Sequence, residues 1–564
     1  MSAVRGSAVA SPAMRVRWLT DPRVPFVVLA AVILAAVVIF PMLQVLIRSL
    51  KVEGSWSLET YARALQPANA RPLWNSVWTA AASSAAAMAV GTALAFLLVR
   101  TDLPGRSVLR TLVILPYAIP PFFGAIAWAQ VLGPQGYLTR PLLQLFGMTE
   151  APWSIYSAGG IVFVLAIHYF PFVFLTVAGA LERMDVSLEE AARTSGAGTL
   201  QVMRQITVPL VMPAILAGGV LAFMGAIANF GIPALLGLRA RFFVLTTSIY
   251  AALNIPDFGL ATAMAMLLVG VSIGALFVQR RLQRGEGRYA VIAGKAIHPQ
   301  PARLGRWRWP AFGLATTGAL VIAILPIVAL VVTSFLRYYG APLAPESLTT
   351  RHYAYIFGLE QIRRAMANSA LLAMLAATIC MALGTAISYA HVKAKIPGSG
   401  WLDAIGTLPY AIPHTVIAIA VLLAWSRVGL YGTLTIMLLA YLLAYLPFSL
   451  RTTAATLQQI HGSLEEAGRV SGAGPLRTFR DIILPLVRPG MIAGWILVFM
   501  PASRELTMSI LLFSLRTETI GVTIFNMQDA GYTQIAAALS VVVLLVILGG
   551  NLLVRQASRG RLGF

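Results

Sequence analysis

The chain has 564 residues, of which 58% are hydrophobic and only 11% are charged, and its mean hydropathy of +0.80 excludes an ordinary soluble enzyme. Its formal net charge of +22 would suggest a nucleic-acid partner in a soluble protein. Here the basic residues stand in short segments between long apolar runs, so we predict a membrane protein that contacts lipid and no nucleic acid.

Twelve apolar runs are long enough to form helices across a hydrocarbon core of ~30 Å, which takes about 20 residues. They lie at 25–47, 75–99, 111–132, 157–180, 212–235, 258–279, 310–335, 367–391, 404–426, 429–450, 489–513 and 534–554. The predicted fold class is therefore all-α and polytopic. The first run lacks a small-residue cleavage site, so we expect a retained span and not a removed signal peptide.

The basic residues also predict an orientation. Of the 42 Lys and Arg, 28 fall in segments that share one side of the membrane with both termini. Because Lys and Arg are retained in the cytoplasm, we expect both termini to be cytoplasmic. The segment 280–309 holds eight of the 28 and is predicted to be a basic cytoplasmic linker between 1–279 and 310–564.

The two halves of the chain repeat each other. The sequence LPYAIP at 115–120 recurs at 408–413, an offset of 293, whereas the segment at 188–198 recurs at 464–474, an offset of 276. The first half therefore has 17 extra residues, which we place at roughly 133–153. Six spans in each half give the repeats one topology, related by an axis along the membrane normal, with a translocation path expected at their interface.

Both repeats carry one pattern in the predicted inner loops 181–211 and 451–488. Two glutamates precede an alanine, and a glycine follows five residues later. The members are Glu189, Glu190, Ala191 and Gly196 in the first loop and Glu465, Glu466, Ala467 and Gly472 in the second. Acidic residues suit a helix N-terminus and Gly-Ala-Gly favours its end, so we expect short helices lying flat on the cytoplasmic face. A connecting amphipathic helix is the alternative, but identical spacing in both repeats favours a docking surface.

These residues resemble the EAA signature of permease subunits of binding-protein-dependent ABC importers. The departures are Val208 where leucine is usual before the proline, and Gly468 for the last alanine. The resemblance implies that both loops are coupling helices that dock onto two ATP-binding cassette subunits. It also implies an extracytoplasmic solute-binding protein and a location in the bacterial inner membrane.

Two further segments, ANFGIP at 228–233 and RELTM at 504–508, resemble the iron(III)-type branch of fused double permeases. That resemblance implies ferric iron as the solute, with thiamine, polyamines and phosphonates as the solutes of neighbouring branches. An ion-coupled secondary transporter is the alternative of another class. It would normally carry ionisable relay residues within its spans, where Glu505 is the only acidic candidate.

Several chemical motifs are absent from the sequence. The only Gly-Lys pair, Gly294-Lys295, lacks the first glycine and the Ser or Thr of a P-loop. We therefore expect no catalytic role and no cofactor in this chain, and partner ATPase subunits that use ATP and Mg. The six histidines form no HExxH, and the lone Cys380 leaves no cysteine pair, so no metal site is expected.

Arg504 and Glu505 interrupt the apolar run 489–513, and the repeat offset aligns Glu505 with Asn229. A charge inside the membrane costs about 2.5–3.5 kcal/mol, so these side chains should face protein or water. They either line the translocation path or form a structural ion pair. For His168 and His414 a packing role is favoured over contact with the solute.

Prolines at 116, 120, 409 and 413 recur at the offset of 293. Proline breaks or terminates helices, so the recurrence predicts either a bend at the start of the third span of each half or a plain helix start near the interface.

Overall fold

The computed structural model describes residues 24–185, 187–255, 257–283 and 302–557. In the first half the helices are α1 Val24–Leu34, α2 Phe40–Ser49, α3 Glu59–Ala64, α4 Pro67–Arg100, α5 Arg106–Ala118, α6 Pro121–Leu132, α7 Thr139–Phe146, α8 Ala158–Arg183, α9 Ser187–Thr194, α10 Thr199–Val202, α11 Val208–Ala228, α12 Gly231–Gly237, α13 Leu245–Asn254 and α14 Phe258–Gln283. Two short strands, β1 Lys51–Val52 and β2 Ser55–Trp56, pair antiparallel after α2.

The second half follows the same order. Its helices are α15 Arg308–Ala323, α16 Leu325–Phe335, α17 Arg351–Gly358, α18 Glu360–Val392, α19 Ser399–Thr407, α20 His414–Trp425, α21 Leu434–Gln458, α22 Ser463–Val470, α23 Pro475–Thr478, α24 Leu484–Ser503, α25 Ser509–Leu512, α26 Ile520–Asp529 and α27 Thr533–Ala557. Single turns of π-helix precede α2, α11 and α24 and join each to the helix before it. Short 3₁₀ turns stand at Gly305–Trp307, Pro345–Ser347, Leu408–Ala411 and Ser426–Val428.

The described residues contain ten helices long and apolar enough to cross a membrane, or twelve if each of two bent helix pairs counts as one span. The predicted all-α polytopic class is confirmed. The spans extend beyond the apolar runs, as in Pro67–Arg100, which has 34 residues where we predicted 75–99. Its ends therefore project past the apolar run on both sides.

The third span of each repeat, predicted at 111–132 and 404–426, is a pair of helices joined at a sharp bend. Helices α5 and α6 meet at 103°, and α19 with its 3₁₀ extension meets α20 at 116°. Pro120 and Pro413 explain the breaks, because proline disfavours helical backbone in the residue before it. Ile119 and Ile412 are extended accordingly, with ψ of 130° and 124°. Of the two readings of the recurring prolines, the bend is the correct one.

The fifth span of each repeat also ends earlier than predicted. The runs 212–235 and 489–513 were expected to be single helices, but α11 ends at Ala228 and α24 at Ser503. A non-helical turn and a short second helix, α12 or α25, follow in each case. At each break a polar side chain accepts a hydrogen bond from the backbone, namely Asn229 in the first repeat and Glu505 in the second.

Each repeat is built on three long helices that pack against one another: α4, α8 and α11 in the first, and α18, α21 and α24 in the second. Glycines permit their closest approach. A Cβ atom added at Gly91 would lie 2.8 Å from the carbonyl oxygen of Phe170, and one at Gly384, its repeat counterpart, would clash with the Ser449 side chain. The two repeats thus share packing as well as sequence.

The predicted linker 280–309 is described only in part, since 284–301 lie outside the described residues. Its final segment runs beside the loop that follows α4. The amide of Ala302 donates to the carbonyl oxygen of Arg100 (2.8 Å), and that of Leu304 donates to Asp102 (2.9 Å). The division into 1–279, 280–309 and 310–564 remains a prediction.

We expect Gly91→Ala to lower the free energy of unfolding by about 1–3 kcal/mol, because the added methyl group overpacks a backbone contact between two helices. Thermal unfolding of the purified protein in detergent measures the change. Gly270→Ala is the matched control, since its Cβ would meet nothing within 4 Å. Equal melting temperatures for the two variants would show that α4 and α8 do not pack as described.

Candidate functional site

A cavity of about 390 Å³ lies between the two repeats, beside both bends. Many of its lining residues form pairs separated by the repeat offsets of 293 or 276. These pairs are Tyr117 with Tyr410, Tyr169 with Tyr445, Phe172 with Phe448, and Asn229 with Glu505. The cavity therefore lies at the interface where the repeat predicted a path, and Asn229, Arg504 and Glu505 all line it.

The cavity is not symmetric, because most of the polar residues that differ between the repeats come from the second repeat. Three of its lining residues replace neutral counterparts in the first repeat: His414 in place of Pro121, Arg504 in place of Ala228, and Glu505 in place of Asn229. A solute in the cavity would meet an amide from one repeat and charged groups from the other.

Glu505 is buried, with 6% of its surface exposed. One carboxylate oxygen accepts hydrogen bonds from the backbone amides of Met508 (2.9 Å) and Ser509 (3.1 Å). The other lies 3.5 Å from Nδ1 of His414. Backbone N–H groups at the start of a helix stabilise a carboxylate, so Glu505 caps α25 while it lines the cavity.

Asn229 occupies the equivalent position in the first repeat. Its side-chain oxygen accepts from the backbone amide of Ile232 (3.0 Å), the counterpart of Met508, and its amide nitrogen donates to the Tyr169 hydroxyl (3.1 Å). Both fifth spans are thus broken at a side chain that caps the helix that follows.

Arg504 forms no ion pair with Glu505 among the described residues. Instead its guanidinium crosses the repeat interface and donates to the carbonyl oxygen of Ala118, the last residue of α5. The bend after Ala118 removes helical partners from nearby carbonyl groups, and a buried carbonyl needs a donor. Arg504 therefore joins the break in one repeat to the break in the other.

Sequence reasoning missed the aromatic character of the cavity and favoured packing for both histidines. His168 is buried and its ring packs 4.8 Å from that of Tyr169, whereas 37% of the His414 side chain is exposed. The four tyrosines were visible in the sequence, because Tyr117 belongs to the repeated LPYAIP and Tyr169 recurs at the offset of 276. In the part of the chain that is described, no three His, Cys, Asp or Glu side chains form a metal cluster.

The two predicted inner helices are present as α9 and α22, and their paired glutamates have different roles. Glu189 is buried, forms an ion pair with Arg100 and accepts from the Thr207 hydroxyl (2.6 Å). Glu465 lies 3.5 Å from Lys393, which follows Arg100 by the offset of 293. The first glutamate of each pair therefore connects the short helix α9 or α22 to the C-terminal end of α4 or α18.

The rest of the predicted docking residues face outward. Glu190, Ala191, Glu466 and Ala467 are exposed, as are the apolar side chains of Leu188, Leu464 and Val470. Gly196 and Gly472 follow these helices with φ of +87° and +80°, a left-handed conformation that ends a helix and suits glycine. Exposed apolar and acidic side chains at equivalent places on both repeats form a surface suited to a protein partner.

Two copies of one helical bundle, with a cavity between them and an exposed short helix on each, define a membrane permease. The chain belongs to the family of binding-protein-dependent transport system inner membrane components, whose family model matches residues 87–287 and 389–561. It is a transport component of the ABC importer class and a multi-pass inner-membrane protein.

The chain is also similar to individual transport proteins and, over part of its length, to a solved structure. The chain is 26% identical to a ferric transport system permease protein, FbpB, of Actinobacillus pleuropneumoniae over 81% of this chain and 66% of that protein, slightly under two thirds of its length. It is 25% identical to Fe(3+)-transport system permease protein FbpB 2 of Haemophilus influenzae over 94% and 97% of the two chains. A bacterial transporter that imports alginate has a chain 21% identical, with a TM-score of 0.37, covering 46% of this chain and 96% of that one.

We expect Glu189→Ala to lower the free energy of unfolding by about 3–5 kcal/mol, because it leaves the Arg100 guanidinium largely buried without its charged partner. Glu190→Ala, one residue away and exposed, should cost less than about 1 kcal/mol. Chemical denaturation of the purified protein, followed by tryptophan fluorescence, compares the two variants. An equal loss of stability in both variants would show that the buried ion pair between Glu189 and Arg100 does not stabilise the fold.

Proposed function

We propose that the chain passes a solute through the cavity between its repeats and is driven by two ATP-binding cassette subunits. The observation that carries the proposal is the pairing of an exposed inner helix with a buried ion pair in each repeat. Ser187–Thr194 and Ser463–Val470 would be the two docking helices. Both termini and the segment 280–309 would then lie on the cytoplasmic side, between repeats 1–279 and 310–564.

The ion pairs would connect the docking helices mechanically to the helices around the cavity. Arg100 is the last residue of α4, and Lys393 directly follows α18. Both long helices pack against helices that line the cavity. A cassette that pulls on α9 or α22 would therefore move a packed bundle and not a loose loop. Closure of the cassettes on ATP and Mg would turn the path from inward-facing to outward-facing, while this chain binds no nucleotide of its own.

The proposed solute is ferric iron, delivered by an extracytoplasmic binding protein. This rests on the names of the Actinobacillus and Haemophilus relatives and on the segments at 228–233 and 504–508. Glu505 has much of its hydrogen-bonding capacity committed to α25, so the binding protein would select the solute and the cavity would admit it. Equilibrium binding of Fe³⁺ by the purified binding protein tests this; tight binding of thiamine, a polyamine or a phosphonate, with none of Fe³⁺, would overturn it.

We expect Gly196→Asp and Gly472→Asp each to leave the chain inserted but to abolish coupled uptake. Both glycines are exposed and a Cβ there would meet nothing within 4 Å, so the variant adds charge to the docking surface without a clash. Uptake by the reconstituted complex and copurification of the cassette subunits are the measurements.

Gly196→Asn and Gly472→Asn are the controls for this pair. Asparagine has the shape of aspartate and tolerates the left-handed backbone, but it adds no charge. We expect the asparagine variants to retain more binding and uptake than the aspartate variants. Full cassette binding and uptake in both aspartate variants would refute the docking assignment.

We expect Glu505→Gln to lower uptake by about tenfold with expression and basal ATP hydrolysis nearly unchanged, since a hydrogen bond to a charged group contributes about 1.5–3 kcal/mol. Glutamine keeps an oxygen acceptor for the amide of Met508, so the cap on α25 survives. Glu518→Gln is the control, because Glu518 is also buried but does not line the cavity. Wild-type uptake in Glu505→Gln would exclude contact with the solute, and failed assembly would assign the carboxylate a structural role alone.

A further inference from the structure

The repeat interface has two outer clefts of very different size. One has a volume of about 850 Å³, and its counterpart only about 20 Å³. Their equivalence follows from the lining residues, since Leu422 and Leu511 line the large cleft where Ala129 and Leu235, their repeat counterparts, line the small one. The difference therefore reflects a feature that the two repeats do not share.

That feature is the extra segment of the first repeat. The Tyr137 hydroxyl lies 2.7 Å from the Thr333 hydroxyl, and the Tyr339 hydroxyl donates to the carbonyl oxygen of Gln130 (3.1 Å). The Tyr339 hydroxyl also contacts the carbonyl oxygen of Ala129, which lines the small cleft, so the second repeat is held against the first beside this cleft. At the corresponding place the second repeat has only the 3₁₀ turn Ser426–Val428, and Ser426 and Arg427 of that turn line the large cleft.

The large cleft has a basic, polar rim. Arg48 stands in the last turn of α2 and Arg427 in the turn after α20, with Gln44 and Tyr431 beside them. Both arginines are exposed, and neither has a hydrogen bond or ion pair from its side chain within the described ranges. None of the described residues that line the cleft is acidic. Two positive charges share one cleft without internal compensation.

Two uncompensated guanidinium groups that line one cleft make its electrostatic potential positive, which attracts an anion. Guanidinium presents five donors in a planar fork that matches the oxygens of phosphate and carboxylate. We propose that this cleft is a binding site for an anionic group, a phosphate or a carboxylate, at the outer end of the repeat interface. The group comes either from the headgroup of an anionic phospholipid or from a free anion, and both offer the same oxygens.

The test compares the full-length chain with the double variant Arg48→Gln/Arg427→Gln and with Arg351→Gln, an exposed arginine that does not line the cleft. One arm titrates inorganic phosphate against the delipidated protein and follows its melting temperature. The other arm places each protein in nanodiscs of phosphatidylglycerol or of phosphatidylcholine alone and counts retained lipid by native mass spectrometry.

We expect phosphate, phosphatidylglycerol or both to stabilise the wild type and Arg351→Gln, and the double variant to bind at least about tenfold more weakly. A response to phosphate alone identifies a free anion, and retention of phosphatidylglycerol alone identifies a lipid headgroup. Equal responses in the wild type and the double variant would overturn the proposal. The absence of any response to phosphate or lipid in the wild type would also overturn the proposal. That holds even if the double variant bound an acidic partner protein more weakly.

Discussion

Backbone polar groups inside a membrane must be satisfied by the protein itself, and the rest of this structure depends on that constraint. Four spans are broken: the third span of each repeat at a proline, and the fifth span of each repeat after α11 or α24. Asn229 and Glu505 cap the helices after two of these breaks, and Arg504 donates to the carbonyl oxygen of Ala118 at a third. Because these side chains meet between the repeats, the residues that permit the breaks also line the cavity.

The same residues explain why the cavity is asymmetric although its scaffold is not. A cap can be an amide or a carboxylate, so the exchange of Asn229 for Glu505 preserves the fold of the break while it changes the charge that a solute meets. The two clefts at one end of the repeat interface also differ in volume, and the small one is lined by Ala129 and Tyr156, which flank the extra segment of the first repeat. The two repeats share one scaffold, and differences at single positions make the two sides of the cavity chemically different.

Much of this architecture could be predicted from the sequence. Hydropathy located the spans, and two fixed offsets revealed the repeat, because both signals depend on many residues at once. The breaks at 119–120 and 412–413 were only one of two readings, since proline marks a helix start as well as a bend. The burial of Glu189 beside exposed Glu190 was not predictable, because the partner of Glu189, Arg100, lies 89 positions earlier and contacts it only after α4 and α8 have packed.

We propose two equivalent docking helices on one chain, each joined by an ion pair to a long helix of its own repeat. The most direct test is the native mass of the detergent-purified complex of this chain with its cassette subunits, measured at saturating nucleotide. We expect a mass that corresponds to two cassette subunits for each chain. A complex with a single cassette subunit per chain, stable at excess partner, would contradict it.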